Sequence, residues 1–314
     1  MSDDAERLVY INGRLVPHRE AVVSVFDVGR LYGVTVYESI RTFRHRFFKL
    51  EAHLQRLAAS LAYLGLNDQV DMDRIREALD QVLAANRRLT HADDDLWVCV
   101  EVTPGETFPM PLVAPQSAQP TIIAYSSALP HASYARHYTA GKPVVTAPFR
   151  NIPPQCFDQR CKNRSRFPHY LAKRHAQQIN PDAFALLLDV DGFVTEGTGA
   201  NIFFVSGGTL QTPTTRNILN GVSRQAVIEL ARRQGSDVVE RDLSLYDAYD
   251  AEEAFWTTTS YCILPISSID NRRIGSEYPG PVARALLAAW SETVEVDIVA
   301  QAQRFGGGED EKVA

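Results

Sequence analysis

The chain of 314 residues has few of the features that indicate a secreted, metal-binding or membrane protein. It contains four cysteines, none in a C-x-x-C pair, so neither a disulfide framework nor a zinc site is expected. No apolar run approaches the roughly 20 residues that span a bilayer, and no internal repeat of fixed period indicates a solenoid. The first residues are polar and acidic. They therefore argue against a signal peptide and predict a cytoplasmic protein.

Composition and charge are those of a globular protein with an acidic balance. The chain has 32 lysines and arginines against 38 aspartates and glutamates, which gives a formal net charge of −6. This balance argues against nucleic acid or an anionic membrane as the main partner. Hydrophobic residues make up 45% of the chain. A chain of this length is expected to form about two domains, each able to bury a core.

Local patterns predict strands and helices in mixed order. Asn12-Gly13, between two short apolar runs, is typical of a β-hairpin. Apolar residues from Leu54 to Leu64 recur at helical spacing and predict a helix over 51–64; another helix is predicted over 164–179. Because strands and helices do not alternate regularly, the pattern favours an α+β fold. The predicted division is a small N-terminal α+β domain at 1–130, a linker at 131–142, a larger C-terminal domain at 143–305 and a disordered tail at 306–314.

The segment from Arg160 to Arg166 carries four basic residues in seven positions. A solvated basic run is the ordinary interpretation of such a pattern. Cations at the start of the helix predicted from residue 164 would oppose the helix dipole, however, so a nearby anion would stabilise them. The run also contains Lys162, and a lysine amine placed beside other cations is a group that can bond covalently to carbonyl carbons.

Two further segments contain glycines next to groups that could bind a ligand. Thr195 to Asn201 joins two predicted strands and carries Glu196 on a glycine-containing turn. Leu219 to Ser223 begins a helix predicted over 222–233. At that position Ser223 could cap the helix, or the free N–H groups of the first turn could hold a phosphate. The residues by themselves leave both interpretations open.

Two more segments are polar without being distinctive alone. Hydroxyl side chains follow one another from Thr257 to Ser260 at the end of a predicted strand. They could bind a phosphate or a carboxylate, or simply face water. Arg56 lies beside the apolar stripe of the helix predicted over 51–64, which is usual for a surface arginine whose stem packs on apolar neighbours. None of these segments identifies a function alone.

The order and spacing of the segments resemble the class IV aminotransferases, the fold-type IV pyridoxal-phosphate enzymes that include branched-chain and D-amino acid aminotransferases. The most specific part is Glu196-Gly-Thr-Gly-Ala-Asn201 followed by Gly221-Val-Ser-Arg224. The other matching segments, which extend the resemblance over nearly the whole chain, are Val9 to Gly13, Phe26 to Gly33, Val36 to Arg41, His53 to Arg56, Lys162 and Thr258 to Ser260. The resemblance implies a smaller N-terminal α/β domain, a larger C-terminal pseudo-barrel domain that binds the cofactor, and a homodimer.

The resemblance also implies the residues of a pyridoxal 5'-phosphate site. Lys162 would be the catalytic residue, bonded to the cofactor and moving the proton at the substrate α-carbon. Glu196 would keep the pyridine nitrogen protonated through a charge-assisted hydrogen bond, and Leu219 would pack on the ring. The residues implied for binding the phosphate are Arg56, Val222, Ser223 and Thr259. No metal is implied.

The resemblance places several groups in the substrate pocket. They are Tyr32, Tyr37, Arg41 and the backbone of Ser260 and Tyr261. D-amino acid transaminases carry an arginine where this chain has Thr103-Pro-Gly105. Its absence, together with Tyr37 and Arg41, favours L-amino acids. The predicted reaction therefore moves an amino group between an L-branched-chain or related amino acid and a 2-oxo acid by a ping-pong mechanism.

Two departures from the branched-chain pattern leave the substrate open. The family tyrosine five residues after Lys162 is Phe167 here, and Tyr170 lies three residues further on. The intervening segment carries Arg164 and Arg166, which could suit an acidic substrate or lie at the surface. The alternatives on the same fold are a lyase similar to the aminodeoxychorismate lyases and a D-amino acid or (R)-amine transaminase. An anion-binding protein without activity is the alternative from another class.

Overall fold

The computed structural model describes residues 6–107 and 119–307, which fall into two compact units. The first unit contains the residues up to 129 and the short segment 161–165. The second contains 130–160 and the residues from 166 onward. The segment that carries Lys162 thus belongs to the first unit, although the predicted C-terminal domain begins at 143. The division into domains at 1–130 and 143–305 with a linker at 131–142 stays a prediction.

The first unit consists mainly of an antiparallel sheet and two long helices. Its elements are β1 (Leu8–Ile11), β2 (Arg14–Pro17), α1 (Val28–Tyr32), β3 (Val36–Phe43), β4 (Arg46–Phe47), α2 (Leu50–Tyr63), α3 (Met72–Asn86), β5 (Leu96–Thr103) and β6 (Thr121–Ala128). Among the described residues the sheet has six strands in the order β2-β1-β6-β5-β3-β4. The predicted hairpin joins β1 to β2, with positive φ at both Asn12 and Gly13, as a two-residue hairpin turn requires.

The two faces of this sheet differ because side chains alternate along each strand. Residues such as Ile40, Val98 and Val100 are fully buried against the apolar stripes of α2 and α3. The strand register places Tyr37 opposite Glu101 on the other face, and Ser39 opposite Cys99 and then Tyr125. One face of the sheet therefore forms the core of the unit, whereas the other collects polar and aromatic side chains.

The second unit mixes parallel and antiparallel strands. Its elements are α4 (His137–Ala140), β7 (Lys142–Arg150), α5 (Phe167–Ile179), β8 (Phe184–Leu188), β9 (Val194–Gly197), β10 (Asn201–Ser206), β11 (Thr209–Thr212), α6 (Val222–Arg233), β12 (Val238–Glu240), α7 (Leu245–Tyr249), β13 (Glu253–Thr258), β14 (Cys262–Ile269), β15 (Arg272–Arg273), α8 (Pro281–Val294) and α9 (Ile298–Gly306). In the described part, the sheet has the order β12-β11-β10-β13-β14-β7-β8-β9, with β15 paired to β14. One apolar cluster packs β7 and β8 against the alanines of α5.

Two predicted segments differ from the structure. The helix predicted from residue 164 begins only at Phe167, because the preceding residues pair with β3 instead. The basic run therefore lies before the helix, and the predicted conflict with the helix dipole does not arise for Lys162 and Arg164. The predicted tail begins too early, since Gly306 ends α9; positions 308–314 lie outside the described residues.

Several other features bear on the class of protein. The four cysteines are free thiols, and only Cys156 is exposed. No helix in residues 6–107 and 119–307 has the length and apolar character needed to cross a membrane. Within those same ranges, no group of three histidine, cysteine, aspartate or glutamate side chains could hold a metal ion.

Candidate active site

Lys162 lies on an extended segment that pairs with the start of β3. The Tyr37 N–H donates to the Lys162 carbonyl (3.0 Å) and the Arg164 N–H donates to the Thr35 carbonyl (2.9 Å). Alternate residues of an extended segment point to the same side, so Lys162 and Arg164 both reach the Tyr37 ring. Lys162 Nζ lies 4.6 Å from the ring centroid. Among the described residues, no carboxylate forms an ion pair with this amine.

A hydroxyl group joins the Lys162 segment to helix α2. The Lys162 N–H donates to Ser60 Oγ (3.2 Å), and the same hydroxyl donates to the Arg56 carbonyl one turn earlier (3.0 Å). Ser60 is buried, so this link is shielded from water. The structure thus brings together two of the sequence-predicted segments, those of Lys162 and Arg56. Sequence reasoning missed Ser60, and its only signal was a polar residue four positions after Arg56 on the apolar side of the helix.

Arg56 is fixed by a buried carboxylate on β3. Its Nε and Nη2 donate to the two oxygens of Glu38, both at 2.7 Å, and His53 Nδ1 lies 2.7 Å from the same carboxylate. Burial alone would raise the pKa of Glu38, but Arg56 and then His53 hold it far below its usual range. Burial also lowers the pKa of His53, so Arg56 is the cation that balances Glu38. This bidentate pair orients the guanidinium that sequence reasoning assigns to a phosphate.

In the second unit, Glu196 is a buried carboxylate that accepts hydrogen bonds from an amide side chain and a backbone N–H. Its Oε2 accepts from Asn201 Nδ2 (3.2 Å) and from the Leu219 N–H (3.1 Å). Asn201 Nδ2 also donates to the Leu219 carbonyl (2.9 Å). The segments Thr195 to Asn201 and Leu219 to Ser223 therefore meet around this one carboxylate. Asn201, which sequence reasoning did not place in the site, is the side chain that links them.

The start of helix α6 has no side-chain cap among the described residues. Gly221 occupies the N-cap position, and Ser223 lies inside the first turn, so the interpretation of Ser223 as the cap is wrong. A Cβ at Gly221 would lie only 2.2 Å from Asn201 Oδ1, so glycine is required for this close approach. The first-turn N–H groups of Val222 and Ser223 form an uncapped helix start, which is a suitable place for an anion.

The hydroxyl-bearing segment Thr257 to Ser260 lies beside the segment Thr195 to Asn201. β13 pairs with β10 so that Thr257 lies opposite Asn201, and Thr258 Oγ1 donates to the Gly199 carbonyl (2.9 Å). Thr259 and Ser260 are half-buried after the strand end. Tyr134 donates to the Ser260 carbonyl (3.3 Å). Three of the five sequence-predicted segments, all in the second unit, therefore lie side by side.

The remaining residues predicted for the substrate pocket differ in how far they are buried and in what they contact. Tyr37 and Arg41 are buried on β3, and the Arg41 guanidinium lies 4.3 Å over Phe43. Tyr32, on α1, is exposed. In the second unit, Tyr261 is buried, and its carbonyl accepts from Tyr138 (2.7 Å). Phe167 and Tyr170, the two aromatic residues near the position of the family tyrosine, are both largely exposed on α5.

Arg166 is bound to the turn that follows Glu196, because its guanidinium donates to the Thr198 carbonyl.

Burial, together with Arg166, lowers the pKa of His169 from 6.5 to about 3. In the unfolded chain His169 takes up a proton near pH 6.5, whereas in the folded chain it does so only near pH 3. The contribution of neutral His169 to the free energy of unfolding is therefore fully present above pH 6.5 and is lost as the pH falls towards 3.

His169→Leu is expected to reduce this acid sensitivity. Between pH 7 and pH 5 the variant should lose about 2 kcal/mol less free energy of unfolding than the wild type. Urea unfolding at both pH values measures the difference. His175→Leu on the same helix is the control for removing a titratable side chain. If the free energy of unfolding depended on pH identically in all three proteins, His169 would not be the source of the acid sensitivity.

Each unit, taken by itself, contains donor groups of a kind that a part of pyridoxal phosphate requires. The first unit supplies a lysine amine that has no carboxylate partner among the residues the structure describes, and an arginine held in a fixed orientation. The second supplies a buried carboxylate and an uncapped helix start beside a glycine that admits no Cβ. An amine, a carboxylate and an anion site are what an aldehyde, a pyridine nitrogen and a phosphate group require.

Comparison with known proteins identifies the family. The model of the class IV amino-transferases matches residues 35–269. A putative branched-chain-amino-acid aminotransferase of Methanocaldococcus jannaschii is 34% identical over 88% of this chain and 93% of the relative. The D-alanine aminotransferase of Listeria innocua is 31% identical over 88% of this chain and 93% of the relative. The crystal structure of the branched-chain amino acid aminotransferase from Thermobaculum terrenum in its PLP form superposes with a TM-score of 0.78, at 26% identity over 96% of this chain and 97% of that one. The chain therefore belongs to the class IV aminotransferases, fold-type IV enzymes that move amino groups between amino acids and 2-oxo acids with pyridoxal phosphate, which confirms the family, the α+β fold class and the cofactor predicted from the sequence.

Proposed function

We propose that this transaminase acts on L-branched-chain or related amino acids with a 2-oxo acid as acceptor, and that it is a cytoplasmic homodimer. The observation that carries the proposal is the setting of Lys162. Its amine lies over the buried ring of Tyr37, on the mainly aromatic and polar face of the first sheet. An aromatic wall beside the reacting amine suits an uncharged aliphatic substrate side chain.

Each proposed role follows from the group's setting. Pyridoxal phosphate, when bound, supplies an electrophilic carbon for the amino group and a ring that delocalises electrons from the substrate α-carbon. Lys162 Nζ holds the cofactor and moves the proton at that carbon. Glu196 holds a proton on the ring nitrogen, with its orientation kept by Asn201 and the Leu219 N–H. Leu219 packs on the ring.

Binding of the phosphate and of the substrate carboxylate is assigned to backbone and cationic groups. The uncapped turn of Val222 and Ser223, with Thr259 and Arg56, binds the phosphate. The backbone of Ser260 and Tyr261 binds the α-carboxylate of the substrate. The pocket groups assigned to the rest of the substrate are Tyr32, Tyr37 and Arg41.

A D-amino acid transaminase is the second candidate, because the Listeria relative is a D-alanine aminotransferase. The turn after β5 weighs against it. Thr103 Oγ1 donates to Asp27 (2.9 Å), and Gly105, at φ +91°, leaves no room for a Cβ beside the Gln119 carbonyl. Pro104 lies between them, so this tight turn lacks the guanidinium that the D-amino acid enzymes carry there.

The visible spectrum of the purified protein tests the proposal. We expect the absorption band of the bound cofactor to be lost on addition of L-leucine and to return with a 2-oxo acid, as ping-pong transfer requires. D-alanine and an (R)-amine should leave the band unchanged. Loss of the band with D-alanine or the amine alone would contradict the L-amino acid assignment. Release of pyruvate from an aromatic substrate without any acceptor would instead indicate a lyase.

A further inference from the structure

An open cavity of about 900 Å³ lies in the second unit, and neither Glu196 nor the start of α6 lines it. Small-molecule sites have volumes of roughly 300–1,000 Å³. The cavity walls come from the residues before α4, the start of β7, the start of β8, the turn after β13 and the end of α9. Aromatic side chains line it at Tyr134, Phe184 and Tyr261. The cavity therefore offers space and apolar contacts to a small ligand.

Lys142, at the start of β7, places a buried charge in the wall of this cavity. The residue is only 4% exposed, and its Nζ lies 4.4 Å from the Phe184 ring centroid. Nζ also donates to His137 Nε2 (3.1 Å). Because His137 Nδ1 donates to the Gly141 carbonyl (3.0 Å), Nε2 carries the lone pair that accepts from the ammonium. A neutral imidazole and an aromatic face thus hold the Lys142 ammonium in place.

Within residues 6–107 and 119–307, no carboxylate forms an ion pair with Lys142. Asp182, the only carboxylate among the described lining residues, is paired with the exposed Arg136. Arg136 Nε also donates to His137 Nε2 (3.3 Å), so two cations share one neutral acceptor. Burial outweighs the opposing effect of Asp182 and lowers the pKa of Lys142 to about 8. A carboxylate bound in the cavity would stabilise this buried ammonium through a charge-assisted hydrogen bond.

The turn of Ser260 and Tyr261 forms another part of the cavity wall. The Tyr134 hydroxyl donates to the Ser260 carbonyl (3.3 Å), and the Tyr138 hydroxyl donates to the Tyr261 carbonyl (2.7 Å). Tyr134 lines the cavity as well. A ligand that packs against Tyr134 therefore contacts a side chain that supports this turn.

We propose that this cavity is an effector site for a small aromatic monocarboxylic acid, and that its occupancy changes the affinity of the Ser260–Tyr261 turn for substrate. Lys142 binds the carboxylate, and the aromatic body packs on Phe184 and Tyr134. One carboxylate is sufficient, because Lys142 is the one buried cation among the described lining residues. The effect on the turn rests on the proposed function, in which that turn binds the substrate α-carboxylate, whereas the site itself does not.

Calorimetry on the holoenzyme tests the site, with phenylacetate as the probe and phenylacetamide as its uncharged analogue. We expect the wild type to bind phenylacetate at least about 10-fold more tightly than phenylacetamide. Lys142→Met should weaken phenylacetate binding at least about 10-fold, and Lys142→Arg, which keeps the charge, should retain it. Phenylacetate bound at the substrate site instead would be insensitive to both substitutions.

The pH dependence of phenylacetate binding is a second measurement on the wild type. Because the pKa of Lys142 is about 8, the ammonium is present at pH 7 and mostly lost at pH 9. Binding should therefore weaken about 10-fold between these pH values. His137 does not contribute, because burial lowers its pKa and it is neutral at both.

The matched control is Arg174→Met, which removes an exposed cation of α5 that does not line the cavity. It should bind phenylacetate like the wild type. No phenylacetate binding by the wild type, or equal affinity in the wild type and in Lys142→Met, would overturn the site. If Lys142→Met does not fold, equal wild-type affinity at pH 7 and pH 9 would overturn it as well.

Steady-state kinetics with L-leucine test the effect on the turn. Saturating phenylacetate should change the KM of the wild type by about 5-fold more than that of Lys142→Met. Equal changes in the two proteins would overturn the effect on the turn. A wild type that does not transaminate L-leucine would refute the proposed function, whereas calorimetry still decides whether the cavity binds the acid.

Discussion

Replacing Lys162 with alanine is expected to remove the visible absorption band of the protein and to lower turnover by roughly 10⁴-fold or more. The reason is that one amine is assigned both tasks, holding the cofactor and moving the proton. The structure supports a covalent role, because the Lys162 amine has no carboxylate partner in the described part of the chain and lies 4.6 Å from the Tyr37 ring centroid.

The spectrum after dialysis and the rate with L-leucine measure both effects of the Lys162 substitution. Borohydride reduction of the wild type, followed by peptide mass analysis, should find the cofactor on the peptide that contains residue 162. Lys173→Ala, which removes an exposed lysine from α5, is the control and should keep the band and the rate. Wild-type turnover in Lys162→Ala, or a reduced adduct on another lysine, would show that the assignment is wrong.

Glu196→Gln is expected to retain the cofactor and to slow the half-reaction with L-leucine by roughly 10²- to 10³-fold, the effect of losing one preorganised electrostatic contact. An amide oxygen can still accept from Asn201 and the Leu219 N–H, so the local fold should persist. An amide cannot, however, keep a proton on the pyridine nitrogen as a carboxylate does. The substitution therefore separates the electrostatic role of Glu196 from its structural one.

Stopped-flow absorbance gives the half-reaction rate of the Glu196→Gln protein, and its melting temperature reports on folding. Glu292→Gln on the exposed side of α8 is the matched control. A variant that keeps the cofactor and reacts at the wild-type rate would refute the proton-holding role. A variant that loses the cofactor would show that Glu196 contributes mainly to binding.

What could be predicted from the sequence depends on local patterns. Asn12-Gly13 determines a hairpin because two consecutive positive φ angles are needed there and few residue types adopt them. The apolar spacing from Leu54 to Leu64 determines an amphipathic helix, observed as α2, because its period matches the helical turn. The order and spacing of the motifs were sufficient for the family and the cofactor, because together they resemble the pattern of the class IV aminotransferases.

The partners of those motifs could not be predicted, because they are distant in the sequence. Whether Lys162 begins a helix or pairs with β3 depended on a strand that lies more than 100 residues earlier. Glu38 finds Arg56 only when α2 folds back on β3, and Asn201 reaches Leu219 only through the loop before α6.

The sequence by itself therefore determined the family, the α+β class, the cofactor and the local elements. Tertiary structure alone decided which side chains surround each predicted group. Arg164 is the clearest case, since its sequence permitted either a surface cation or a ligand for an acid. The register of β3, β5 and β6 places Tyr37, Glu101 and Tyr125 on one face of the sheet. That register is set by the apolar residues on the opposite face, which must pack against α2 and α3, and so no local pattern around Arg164 could reveal it.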